Sequence, residues 1–213
     1  MLIRLLPRKR YRGVTLIEVL VAMVVLSFGM LGIAGLQVAT AKFQQGSRAR
    51  GMVAPMLSDI ANRIRTNSNE AGDDAATSAT YTSSYALSGT WDAQQSTTLT
   101  VSTDCEKTGV TCSTSERSDY DMTIWRQRVR AALPQGAALL SGSKANGFQV
   151  TVMWFDKSLT DKGNNTESVL IKSQVCSADA ESAQSNRMGQ QNCCPAEASA
   201  PVGVRCNRFT FVP

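Results

Sequence analysis

VTLIEVLVAMVVLSFGMLGIAGLQ, residues 14–37, decides how the rest of the chain is read. Within it, residues 19–36 run for 18 positions without a charge. As a helix that is about 27 Å, close to the hydrocarbon thickness of a bilayer. The segment can therefore span a membrane. Just upstream, residues 1–13 hold Arg4, Arg8, Lys9, Arg10 and Arg12 and no acid. This basic flank predicts a cytoplasmic N-terminus and export of the residues beyond the helix. An ordinary secretory signal has a shorter apolar core with its cleavage site after it; here the break, Arg12-Gly13-Val14, comes before the core.

The same basic run accounts for the charge of the whole chain. The sequence has 22 basic and 17 acidic residues, and five of the basic ones lie in the first thirteen positions, so the rest balances at 17 against 17. A neutral body does not describe a protein that seeks polyanions, and DNA is not an expected partner. There is no histidine among the 213 residues. That excludes a Ser-His-Asp hydrolase, a Cys-His protease and a His-ligated zinc enzyme. With no nucleophile–base pair and no phosphate loop either, the sequence offers no enzyme and calls for no cofactor.

Glu18 is the one residue that breaks the apolar pattern. A carboxylate buried without a partner costs several kcal/mol, so a cation or a proton must neutralise it. A cut between Gly13 and Val14 would create that cation, an α-amine four residues away, in the same or a neighbouring subunit.

Together these residues resemble the class III signal of type IV pilins and pseudopilins: a short basic leader, Gly13 before the cut, Thr15-Leu16-Ile17-Glu18 after it, then an uncharged stretch of membrane length. Val14 stands where members of that family usually begin with Phe. The resemblance implies cleavage after Gly13 by the prepilin peptidase, N-methylation of Val14, and docking of Glu18 against the first-residue amine of an adjacent subunit. VVLSFGMLGIAGLQ, and a Trp-containing helix ending in Ala-Leu-Pro, look most like the PilV-type minor pilins. On that resemblance the chain is a minor pilin that helps prime and assemble the pilus, for twitching motility and adhesion. It would sit in the bacterial inner membrane with its C-terminal domain periplasmic, and then in the extracellular filament. Its partners would be the other minor pilins, the major pilin, the assembly platform and a tip adhesin. A pseudopilin of a type II secretion system, or a DNA-uptake pilin, is the alternative.

Further along, Val53, Leu57, Ile60 and Ile64 recur at helical spacing among charged residues, so the stem continues as an amphipathic helix interrupted by Pro55. Gly29, Gly32 and Gly35 mark a soft stretch before it. Residues 66–118 contain 22 Ser or Thr among 53 and read as a long surface connection, with one strand at 97–102 and Tyr81, Tyr85 and Trp91 pinning it to the domain. A second helix at 121–133, capped by Asp119 or Asp121 and stopped by Pro134, carries Met122, Trp125, Val129, Ala132 and Leu133 on one face. Arg126, Arg128 and Arg130 form a solvated opposite face. Residues 137–140 and 148–155 form a hairpin around a turn at 141–147; 161–165 is another turn, 168–176 a third strand and 208–212 a last one.

The expected fold is thus α+β, a type IV pilin fold with a long helix on an antiparallel sheet of about four strands. Its expected parts are a leader at 1–13, a transmembrane and filament-core helix at 14–41, its amphipathic half at 42–66, the Ser/Thr-rich region at 67–118, and the second helix, sheet and Cys-rich end at 119–213. Six cysteines in an exported domain favour disulfides, with a four-thiolate zinc site as the alternative. Cys105 and Cys112 close a short loop. For Cys176, Cys193, Cys194 and Cys206 three connectivities exist; because a vicinal bridge is strained, Cys176 is expected to join Cys193 or Cys194, and the other to join Cys206.

Overall fold

The computed structural model describes residues 13–68, 83–160, 169–176 and 187–213. Most of the leader, Tyr81 and the turn at 161–165 lie outside them. The element order is α1 (Leu16–Thr66), α2 (Trp91–Ser96), α3 (Thr114–Ala132), β1 (Ala137–Ser143), β2 (Gly147–Phe155), α4 (Arg187–Asn192), a 3-10 turn (Ala196–Ala198) and β3 (Val204–Phe211). The chain divides into two compact units between Gln45 and Gly46.

The first unit is the apolar half of α1. Its large side chains, among them Leu20, Val24, Phe28, Leu31 and Leu36, are all exposed. Ser27 and Thr40 donate their hydroxyls back to the carbonyls of Met23 (2.7 Å) and Gln37 (2.9 Å), so these polar groups are satisfied inside the helix itself.

The second unit is α+β and pilin-like: the remainder of α1, running through Pro55, packs with α3 on a three-stranded antiparallel sheet ordered β1-β2-β3. The β1–β2 register runs from Ala137 opposite Met153 to Ser143 opposite Gly147, and the β2–β3 register from Phe148 opposite Phe211 to Phe155 opposite Val204. Gly142 has φ +112°, and a Cβ there would run into the Gly147 carbonyl; glycine is what lets the hairpin close.

Alternation along the strands sends side chains into two cores. Phe148, Val150, Val152 and Trp154 meet Ala49, Val53, Met56, Ile60 and Ile64 of α1 and Met122, Trp125 and Val129 of α3. The expected stripe on α1 is there, with Leu57 at its half-buried margin. On the other face Met153, Leu139, Val204 and Cys206 pack under Trp91, Ala198 and Ala200. Antiparallel sheets commonly leave one face to water; this one is covered on both.

Several expected boundaries differ. Helix α3 begins at Thr114, not 121, because Ser113 and Glu116 form a reciprocal capping box (Ser113 N to Glu116 Oε2, 2.8 Å; Glu116 N to Ser113 Oγ, 3.3 Å). Asp119 and Asp121 are therefore inside the helix. Residues 97–102 are not a strand: the carbonyls of Thr97 and Leu99 are taken by the side chains of Arg130 (2.7 Å) and Gln127 (2.9 Å). Residues 169–176 make only isolated bridges, Thr160 with Leu170 and Val175 with Cys194, so the sheet has three strands where about four were expected. The segment pairs with Leu159 and Gly203 at one end and with Cys194 at the other, which leaves it no single ladder to extend.

Charges, the most buried of them Asp121 and Arg63, tie the helices together. Asp121 accepts from Arg63 (Nη1, 2.6 Å) and from the Tyr85 hydroxyl (3.0 Å), Arg63 also donates to Asp59 (3.0 Å), and Arg128 donates to Asp59 (2.9 Å). Burial alone disfavours the Arg63 charge, but Asp59 and Asp121 outweigh it and hold its pKa above the ordinary value. Burial raises the Tyr85 pKa, so the phenol stays protonated and donates. The arginine face of α3 is not simply solvated, since Arg128 and Arg130 are both engaged within the domain.

At the far end of the sheet, Asp156 accepts from Ser158 (N, 2.9 Å; Oγ, 2.6 Å) and from Arg205 Nε (2.8 Å), with Arg50 at 3.7 Å. Burial pushes its pKa up, but the bonds from Ser158 and Arg205 win and leave it below the usual carboxylate value. Because the folded value lies below the unfolded one, about 3.9, the contribution is complete above that pH and is lost as pH falls through the folded value. Asp156→Asn is expected to cost about 2 kcal/mol at pH 7. In urea unfolding of the full chain in detergent, the gap to the natural chain should narrow below about pH 4. A gap unchanged between pH 7 and pH 3 would contradict this.

Candidate processing and assembly site

Gly13, Val14 and Thr15 precede the first helical residue and have no regular backbone structure. All three are exposed, so the Gly13–Val14 peptide is open to an approaching protein. Helix α1 starts where the backbone N–H groups of Glu18 (3.1 Å) and Val19 (3.3 Å) reach the Thr15 carbonyl.

Glu18 turns back onto this start. Its Oε2 accepts from the Thr15 backbone N–H (3.3 Å) and from the Thr15 hydroxyl (3.4 Å). Thr15-Leu16-Ile17-Glu18 is thus one half of a capping box, in which the acid at the third helical position satisfies the donor of the capping residue. The carboxylate also lies at the positive end of the helix dipole. The S/T-x-x-E spacing is legible in the sequence, but an acid in an apolar run reads first as a charge in need of a counter-charge. In a single chain Glu18 is exposed and needs no further cation.

Downstream of this start, one helix among the described residues is long and apolar enough to cross a membrane, and its most apolar window has no buried residue. A Cβ on Gly29, Gly32 or Gly35 would meet nothing within 4 Å. An apolar surface of this extent is stable only when lipid or other helices cover it.

The six cysteines are paired as Cys105–Cys112, Cys176–Cys193 and Cys194–Cys206. Cys194–Cys206 lies in the core beneath the sheet and fixes the covering segment to β3. Among the described residues no group of three His, Cys, Asp or Glu side chains is arranged to hold a metal.

Residues 8–34 match the prokaryotic N-terminal methylation motif. The matched stretch contains the Gly13–Val14 bond, Thr15, Glu18 and the apolar turns beyond them. It supports a type IV pilin-like or pseudopilin protein, and the class III signal implies processing by prepilin peptidase and engagement with pilus machinery. It does not single out the PilV type. Among curated proteins and among solved structures, none matches this chain.

Proposed function

We propose that the chain is a minor type IV pilin, a structural subunit that helps prime and assemble the filament. The supporting observation is the methylation motif lying over an exposed Gly13–Val14 bond and the start of a helix whose apolar half has no buried residue in its most apolar window. Residues 1–13 act as the leader and keep the N-terminus cytoplasmic. Residues 14–41 anchor the precursor in the inner membrane and then enter the filament core, 42–66 carry the amphipathic half of the stem, and 67–118 with 119–213 form the periplasmic domain. The peptidase cuts after Gly13, Val14 is methylated, and Glu18 meets the amine of Val14 in an adjacent subunit. Partners are the other minor pilins, the major pilin, the assembly platform and a tip adhesin. A pseudopilin or a DNA-uptake pilin would use the same signal, and the subunits that co-purify with the chain separate these readings.

Processing gives the direct test. Glycine at the cut lets a peptidase reach the exposed bond without meeting a side chain. Gly13→Arg is expected to leave a membrane-bound precursor that keeps its basic leader, while the natural chain has the intact mass of residues 14–213, with or without one methyl. An unprocessed Met1 terminus on the natural chain in sheared filaments would refute the assignment.

A further inference from the structure

Arg208, on β3, is a half-buried cation that meets sulfur where a carboxylate would be the ordinary partner. Its Nη1 lies 3.0 Å from Cys176 Sγ and 3.3 Å from Cys193 Sγ, and donates to Gln190 Oε1 at 2.9 Å. Its Nη2 donates to Gln149 Oε1 at 2.6 Å, and its buried Nε has no partner among the described residues. Among the described residues, every acceptor that this guanidinium reaches is neutral. Burial accordingly pulls its pKa below the ordinary arginine value. A negative charge formed beside it would relieve that cost, and the two sulfurs are the atoms in place to acquire one.

We propose that Cys176–Cys193 is a thiol-exchange site, at which an external dithiol attacks Cys176 and Arg208 stabilises the departing Cys193 thiolate. The direction of attack follows from access: Cys193 is 1% exposed, while Cys176 is half-buried. The thiolate of the dithiol forms a bond to Cys176 Sγ as the Cys176–Cys193 bond breaks, and the electron pair leaves on Cys193 Sγ beside the guanidinium. The second thiol of the reagent then attacks its own sulfur in the mixed disulfide and releases the Cys176 thiolate. The dithiol ends as a disulfide, the protein has gained two electrons, and Arg208 keeps its proton throughout. A cation beside a thiolate lowers thiol pKa and raises the reduction potential of the bridge. Cys194–Cys206 is buried, Cys206 at 0% exposed, and no guanidinium donates to its sulfurs among the described residues, so it serves as the internal reference. Opening the exchange site would remove the covalent link between residues 169–176 and Cys193, just after α4, leaving the Cys176–Cys194 backbone bond and the bridge under the sheet.

The full chain in detergent, equilibrated at pH 7 in graded mixtures of reduced and oxidised dithiothreitol, acid-quenched and mapped by differential alkylation, tests this. Cys176–Cys193 should be half-reduced at a thiol-to-disulfide ratio about tenfold lower than Cys194–Cys206 requires, equivalent to about 30 mV. Arg208→Met should move the first midpoint toward the second by most of that factor and leave Cys105–Cys112 unmoved, whereas Arg208→Lys should retain much of the difference. Equal midpoints for the two bridges in the natural chain would overturn the proposal, and so would a folded Arg208→Met variant with an unchanged midpoint. Equal midpoints within the natural chain overturn the proposal even if Arg208→Met does not fold, and Arg208→Lys then carries the test of the cation.

Discussion

Glu18→Ala is expected to insert in the membrane and to be cleaved as usual, yet to appear in sheared filaments at a level about tenfold or more below that of the natural chain. In the single chain the carboxylate is exposed, and among the described residues it is bonded only to Thr15, at 3.3 and 3.4 Å. Those bonds are long and suit a hydrated helix start. In the filament we propose, the apolar half of α1 would be covered by its neighbours, Glu18 would lose its water, and bonds of this length could not compensate a buried charge. No Lys or Arg occurs from Val14 to Ala41, which leaves the amine of Val14, freed by cleavage, as the partner. The alanine variant then buries that amine unpaired. Because the proposed pairing would come on top of the observed capping contact, a second variant separates the two. Glu18→Gln keeps an acceptor that can complete the half capping box but removes the charge. If pairing is what assembly needs, both variants incorporate poorly. Recovery of Glu18→Gln at the natural level would show that capping is the function of this residue and would remove the inter-subunit pair; normal piliation in both variants would remove any role in priming.

How far the sequence discloses the molecule depends on whether the backbone's partners are local. The stripe on α1 and the hairpin are repeats of three and four or of two, and Val53, Ile60 and Ile64, like Phe148, Val150 and Val152, are buried where that periodicity places them. The start of α3 is equally local: Ser113-Thr114-Ser115-Glu116 is a capping signature, masked because Asp119 and Asp121 are also capping residues and lie nearer the apolar face. Only the fold reveals that Asp121 is used as the buried acceptor of Arg63 and Tyr85, residues 58 and 36 positions away.

The other differences share a cause. Alternation at 97–102 fits a strand, but the carbonyls there are engaged by side chains of α3, which no periodicity in the segment itself can report. The second core under the sheet is not visible in the sequence either. Trp91, Ala198 and Ala200 come from short stretches without a hydrophobic run, and a bridge, Cys194–Cys206, fastens the covering segment to β3. The candidate processing site can be read without the fold, because Gly13, Val14, Thr15 and Glu18 are neighbours in the chain. What the sequence does not separate is the capping role of Glu18 from its charge.

Trp125→Ala should be the most damaging single truncation in the second unit, lowering stability by about 3–5 kcal/mol. Trp125 is completely buried where α1, α3 and the sheet meet, in the cluster of Val53, Ile60, Val129 and Val152, and its indole Nε1 donates to the Met56 carbonyl at 2.8 Å. Truncation removes one of the two indole rings of that core. The neighbours cannot close the void, because their backbones are held by the α1 and α3 ladders and by the Asp59–Arg63–Asp121 ion pairs. It also takes away a side-chain bond to the α1 backbone beside Pro55, where the helix already lacks an N–H donor. A domain with about 5–15 kcal/mol in total would be left close to its threshold. Trp125→Phe apportions the effect, since it keeps most of the apolar volume and loses the hydrogen bond, and should cost about 1–2 kcal/mol beyond the small loss of volume. Denaturant midpoints should fall in the order natural chain, Phe, Ala, with the slope m unchanged. If the phenylalanine variant falls as far as the alanine one, the Met56 bond outweighs packing at this position; if alanine costs less than about 1 kcal/mol, the cluster collapses around the void and the core is softer than its burial implies.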